Sequence, residues 1–137
     1  MGNSSLGTFL VIDDDESLRM LLNLILSSVG INSICVGTSD EALSFLEEDD
    51  GTISGILLDL NLANSRGEDF LDQILTFNSD LVVFMMSGCL SEEIEERIGD
   101  RAIDGIITKP FQTAELIQLV SDAVIKRQEL ITSREGA

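Results

Sequence analysis

Three consecutive carboxylates, Asp13, Asp14 and Asp15, stand directly after the apolar run Phe9–Leu10–Val11–Ile12. A fourth acid, Asp59, closes a second apolar segment that ends in Leu57 and Leu58. A hydroxyl, Ser87, follows Met85 and Met86 and precedes Gly88, and an ammonium, Lys109, follows Thr108 and precedes Pro110. Gathered in one place, these types suggest a single chemistry. Carboxylates brought together repel one another and are tolerated when a hard divalent cation sits among them. Oxygen donors without histidine or a paired-cysteine spacing suit Mg²⁺, with Mn²⁺ as a substitute. A carboxylate at such a site can attack phosphorus and form an acyl phosphate. The metal and a lysine then neutralise the phosphoryl oxygens, and a hydroxyl donates to one of them.

Each residue also has a plainer reading. Asp13 and Asp14 could cap a helix. Asp59 could open a turn, Ser87–Gly88 could be a turn, and Lys109 could be a solvated loop lysine. What outweighs these readings is position, and position depends on the elements.

Apolar residues alternate along the chain between two periods. Phe9 to Ile12 is a short continuous run, as in a strand buried on both faces. Leu18, Leu21, Leu22, Ile25, Leu26 and Val29 then mark one face of a helix, and Gly30 stands where a helix end favours glycine. Ile31 to Val36 reads as a strand, and Thr38 to Glu41 fits a capping box that opens a helix through Leu46. Strands follow at Ile53 to Leu58 (interrupted by Gly55), Leu81 to Met86 and Ile103 to Thr108. Helices follow around Phe70 to Leu75, weakly at Ile94 and Ile98, and from Leu116 to about Leu130, with a fraying tail from Thr132. Strand then helix, five times over, predicts an α/β fold with a doubly wound parallel sheet and helices on both faces. In such sheets, sites form outside the carboxyl ends of the strands. Asp13–Asp15, Asp59, Ser87 and Lys109 each follow a strand, so four strand ends deliver their groups to one edge.

At 137 residues and 44% apolar composition the chain is long and apolar enough for one domain with a core. The domain is expected over residues 8–128, with 1–7 and 129–137 as flexible ends or linker. The longest apolar run is strand-sized, well short of the roughly 18–20 residues needed to span a bilayer. Met1 to Thr8 is small and polar, which predicts no secretory signal and a cytoplasmic protein. The two cysteines, Cys35 and Cys89, then read as free thiols. A formal charge of −17 repels nucleic acid and anionic membrane, so neither is an expected partner. Glu92, Glu93, Glu95 and Glu96 read as a solvated helix face.

The stretches FLVIDDDES (9–17), ILLDLNL (56–62), VVFMMSG (82–88) and GIITKPF (105–111), in this order and spacing, resemble the receiver domain of two-component response regulators. The resemblance covers roughly residues 8–128. It implies a flavodoxin-like fold of five strands in the order 2-1-3-4-5. It implies that Asp13 and Asp14 hold Mg²⁺, that Asp59 is the phosphoacceptor, and that Asn61 lends the metal a backbone carbonyl. It assigns Ser87 and Lys109 to the phosphoryl group and Ile106 to the switch position. A histidine kinase or phosphotransfer protein is the implied phosphoryl donor. Readout then falls to a partner protein, a homodimer or a further domain. As an enzyme, such a chain acts only on its own Asp phosphorylation and dephosphorylation.

Three positions depart from the family pattern. Ala63 stands where proline is frequent, Ile106 where an aromatic ring is usual, and Cys89 where side chains influence the hydrolytic water. The alternative from another class is a pseudo-receiver that binds partners without phosphorylation; intact Asp59, Ser87 and Lys109 argue against it. An aspartyl phosphatase is disfavoured by Asn61, where such enzymes place a second acid. A flavin binder is disfavoured by the lack of a phosphate loop and of any Trp or Tyr.

Overall fold

The structure is a computed structural model that describes residues 7–49, 51–60, 67–77, 80–88 and 91–135. Among them, strands and helices alternate: β1 (Thr8–Ile12), α1 (Glu16–Ser27), β2 (Asn32–Val36), α2 (Ser39–Glu48), β3 (Ile53–Asp59), α3 (Gly67–Phe77), β4 (Val82–Ser87), α4 (Ser91–Ile98), β5 (Gly105–Thr108) and α5 (Thr113–Glu135). The strands form one parallel sheet in the order β2-β1-β3-β4-β5, as the resemblance implies.

Alternate residues of each central strand feed opposite faces. Phe9, Val11, Leu57, Val82, Phe84 and Met86 pack with α1 and α5 residues such as Leu22, Leu26, Leu116 and Val120. Leu10, Ile12, Ile56, Leu58, Val83 and Met85 pack with Ala42, Leu46, Phe70, Ile74 and Ile94 from α2, α3 and α4. Both faces of β1, β3 and β4 are therefore covered, which is why these strands read as continuous apolar runs.

Local chemistry sets the boundaries. Gly30 takes φ 82° just beyond α1, and the Ile31 N–H donates back to the Leu26 carbonyl at 3.0 Å. Thr38 caps α2: its hydroxyl accepts from the Glu41 N–H at 3.2 Å, and the Glu41 carboxylate accepts from the Gly37 N–H at 3.2 Å. Gly55 does not interrupt β3. It pairs with Phe9 on β1, and a Cβ there would meet the Phe9 ring at 2.2 Å. Glycine makes room for the ring.

Two expectations are corrected. Strand β5 begins at Gly105 rather than Ile103, because Asp104 spends its backbone and side chain on β4: its N–H donates to Val83 O at 2.7 Å and its Oδ2 accepts from Val83 N at 2.8 Å. The last helix does not stop near Leu130; it continues to Glu135. Arg134 holds Asp80 at 2.7 Å across that stretch, and Ile131 is half-buried. Further back on α5, Arg127 donates to Leu81 O at 2.8 Å and to Asp104 Oδ1 at 2.6 Å, stitching α5 to the starts of β4 and β5. Cys35 is a free thiol; Cys89 lies outside the described residues.

Candidate phosphoacceptor and metal site

Parallel strands bring their carboxyl ends to one edge, and the predicted groups meet there. Asp13 follows β1 and is gripped at every polar atom. Its N–H donates to Val36 O at 3.2 Å, and its carbonyl accepts from Arg19 Nη1 at 2.7 Å. Its Oδ1 accepts from the Asp15 N–H at 2.9 Å and its Oδ2 from Lys109 Nζ at 3.0 Å. The side chain has no exposed surface. Asp14, next along, is exposed. Asp15 is the cap of α1, its carboxylate accepting from the Leu18 N–H at 3.2 Å. The capping reading thus belongs to Asp15 and frees Asp13 and Asp14 for other work.

Asp59 closes β3 and is nearly buried, with Lys109 Nζ 3.5 Å from its Oδ2. Carboxylate oxygens of Asp13, Asp14 and Asp59 all lie within 4.8 Å of one another. Ser87 closes β4, is fully buried, and its carbonyl accepts from the Lys109 N–H at 2.8 Å. That bond docks the end of β5 on the end of β4 and aims Lys109 at the two buried acids. The Lys109–Pro110 peptide bond is cis.

Burial pulls the Lys109 ammonium towards its neutral form, but the hydrogen bond to Asp13 and the charges of Asp59 and Asp13 together outweigh it, so its pKa is raised. The Lys109 ammonium faces two buried carboxylates, and the exposed Asp14 stands beside them. Those three acids have the donor chemistry of a hard divalent cation, and they could hold a metal ion.

Ile106 is not at this edge. It sits on β5 opposite Met85, half-buried against the core under α2, α3 and α4. Asn61, Ala63 and Cys89 lie outside the described residues. Arg19 was not anticipated from the sequence. Its spacing from the acids, one helical turn inside α1, was the available signal, but a charged residue on a helix normally reads as solvated.

The chain belongs to the response regulator receiver domain family, which matches residues 9–121. It is 31% identical over 119 residues to the hydrogenase transcriptional regulatory protein HoxA of Bradyrhizobium diazoefficiens, covering 86% of this chain and 24% of that protein. It is 32% identical over 119 residues to the sensory transduction protein RegX3 of Mycolicibacterium smegmatis, covering 86% of this chain and 50% of that one. It thus spans a quarter to a half of these two curated relatives. The crystal structure of NtrX from Brucella abortus superposes with a TM-score of 0.86 at 26% identity, over 96% of this chain and 30% of the other. A receiver domain protein from Clostridium thermocellum shares the fold, with a TM-score of 0.82 at 19% identity over 90% and 98% of the two chains. No helix among the described residues is long and apolar enough to cross a membrane.

Proposed function

We propose that this receiver domain takes a phosphoryl group onto Asp59, beside Mg²⁺ held by Asp13, Asp14 and Asp59, and passes the change to a partner. The observation that carries the reading is the convergence of three carboxylates within 4.8 Å, with the Lys109 ammonium 3.5 Å from Asp59. In this reading the backbone carbonyl of Asn61 completes the protein's share of the ligands, and Mn²⁺ can replace Mg²⁺. When bound, the metal supplies positive charge against the phosphoryl oxygens.

The rest is the work of this chain. An Asp59 carboxylate oxygen attacks phosphorus. The bond from phosphorus to the donor's leaving atom breaks, and the leaving group departs with its electron pair. The Lys109 ammonium moves from shared contact with Asp13 and Asp59 to neutralise a phosphoryl oxygen, and the Ser87 hydroxyl donates to another. Water later attacks the same phosphorus, releasing inorganic phosphate and restoring the Asp59 carboxylate. The donor is a histidine kinase or phosphotransfer protein. Readout belongs to a partner protein, a second copy of the chain or a further domain. A chain of charge −17 is not itself suited to touch nucleic acid.

Mass spectrometry after incubation with acetyl phosphate and Mg²⁺ tests the reading. One phosphoryl adduct is expected on the wild type and none on Asp59→Asn. An adduct at full yield on that variant would overturn the acceptor assignment; no adduct on the wild type would leave a pseudo-receiver that works by binding alone.

A further inference from the structure

Arg97, the penultimate residue of α4, reaches across to the residue just after β3. Its Nη2 donates to the Leu60 carbonyl at 3.1 Å. Leu60 directly follows Asp59 and is fully buried, and its own N–H donates to Met86 O at 2.9 Å. The residue next to the acceptor is therefore held on two sides, by β4 through its N–H and by α4 through its carbonyl.

The same end of α4 is organised by a second arginine. Arg101 Nη1 donates to the carbonyls of Arg97 and Ile98 at 2.9 and 3.0 Å. Its Nε and Nη2 hold the two carboxylate oxygens of Asp72, on α3, at 2.7 and 3.0 Å. This bidentate grip draws the Asp72 pKa below its usual value, the hydrogen bond to Arg101 being the main cause. Only Ile94 and Ile98 of the described α4 side chains are buried. A short helix with so little apolar anchorage depends on polar ties for its position. One of those ties ends on the residue beside the phosphoacceptor.

We propose that Arg97 couples Asp59 to α4. A charge-assisted bond to a main-chain carbonyl is directional and short in range, so it reports displacement of Leu60 faithfully. A phosphoryl group on Asp59 places a strong negative charge one residue away, which competes with the Leu60 carbonyl for the guanidinium. Arg97 then exchanges the Leu60 carbonyl for the phosphoryl group, and α4 loses a fixed main-chain tie beside β3. This route rests on the phosphoacceptor role of Asp59 proposed above. It needs no side-chain movement in the core, and it starts at the backbone beside the acceptor.

Hydrogen exchange with and without Mg²⁺ and beryllofluoride, a phosphoryl mimic, tests the coupling on the full chain. In the wild type, the mimic is expected to speed exchange over residues 91–98. In Arg97→Met, which keeps an apolar stem over the core, those amides are expected to exchange fast already, and the mimic to add nothing while still binding. Arg97→Lys, which retains a donor, is expected to recover part of the response; a merely structural loss would not be rescued in the difference between the two conditions. A wild-type response in Arg97→Met, with the mimic bound, overturns the coupling and leaves the acceptor assignment standing. Failure of the wild type to bind the mimic overturns the acceptor assignment, and the coupling with it.

Discussion

Asp13, Asp14 and Asp15 are three identical side chains in a row with three different environments, and single substitutions should separate them. Asp15→Ala removes the α1 cap and should cost about 1 kcal/mol in a denaturant titration. Asp14→Ala removes an exposed carboxylate from a like-charged cluster, so in metal-free buffer it should be no less stable than the wild type. The stabilisation that Mg²⁺ gives the wild type should be absent from it; equal stabilisation of both in a thermal melt would refute a metal role for Asp14. Lys109→Met leaves Asp13 buried without its cation and should cost about 1–3 kcal/mol without metal. Since the Lys109 pKa is raised, its contribution is fully present below the ordinary lysine value of 10.5 and is lost only as pH climbs through the raised value. The stability gap between wild type and Lys109→Met should accordingly hold constant through neutral and mildly alkaline pH and narrow only above 10.5. At this scale the sequence was informative about groups that end strands, because a polar residue after an apolar run has few other reasons to be there. It was silent about Arg19 and Arg97, whose hydrogen bonds go to main-chain carbonyls that carry no signature in sequence.

Elements were legible where one period dominated. The strand runs and the α1 stripe translate directly into the two faces of the sheet, because burial selects residue type at each period. Ends were legible where a cap or a glycine marked them, as at Thr38 and Gly30, and misread where the deciding contact was distant. The early break before β5 depends on Asp104 bonding to Val83, and the late end of α5 runs past an ion pair between Arg134 and Asp80. Gly55 shows the same limit from inside a strand. It reads as an interruption, yet it is the floor on which Phe9 lies. Gly55→Ala should therefore destabilise by about 1–3 kcal/mol through overpacking. Combining it with Phe9→Leu should give less than the sum of the two single losses. Strict additivity in that cycle would show that the ring and the glycine are not in contact.

Taken as a whole, the molecule carries far more negative charge than its fold requires, with 25 acids against 8 bases. Self-repulsion of that size weakens the compact state and is relieved by ions. The melting temperature should rise as NaCl is added, and MgCl₂ at matched ionic strength should raise it further through the Asp13–Asp14–Asp59 cluster. Identical melting in the two salts would count against a specific site. The stitch of Arg127 to Leu81 and Asp104 lies at the opposite end of the sheet from that cluster, at the amino-terminal starts of β4 and β5. It is placed to act as a fulcrum. From Arg127 back to Thr113, where α5 begins near Lys109, a helix of this rise measures roughly 20 Å. A tilt of about 5° around the stitch would carry the near end of α5 by about 2 Å while Arg127 stayed in place. Angular play too small to disturb the anchored end thus becomes a displacement as wide as a hydrogen bond is sensitive to, delivered at the edge where Asp59 stands.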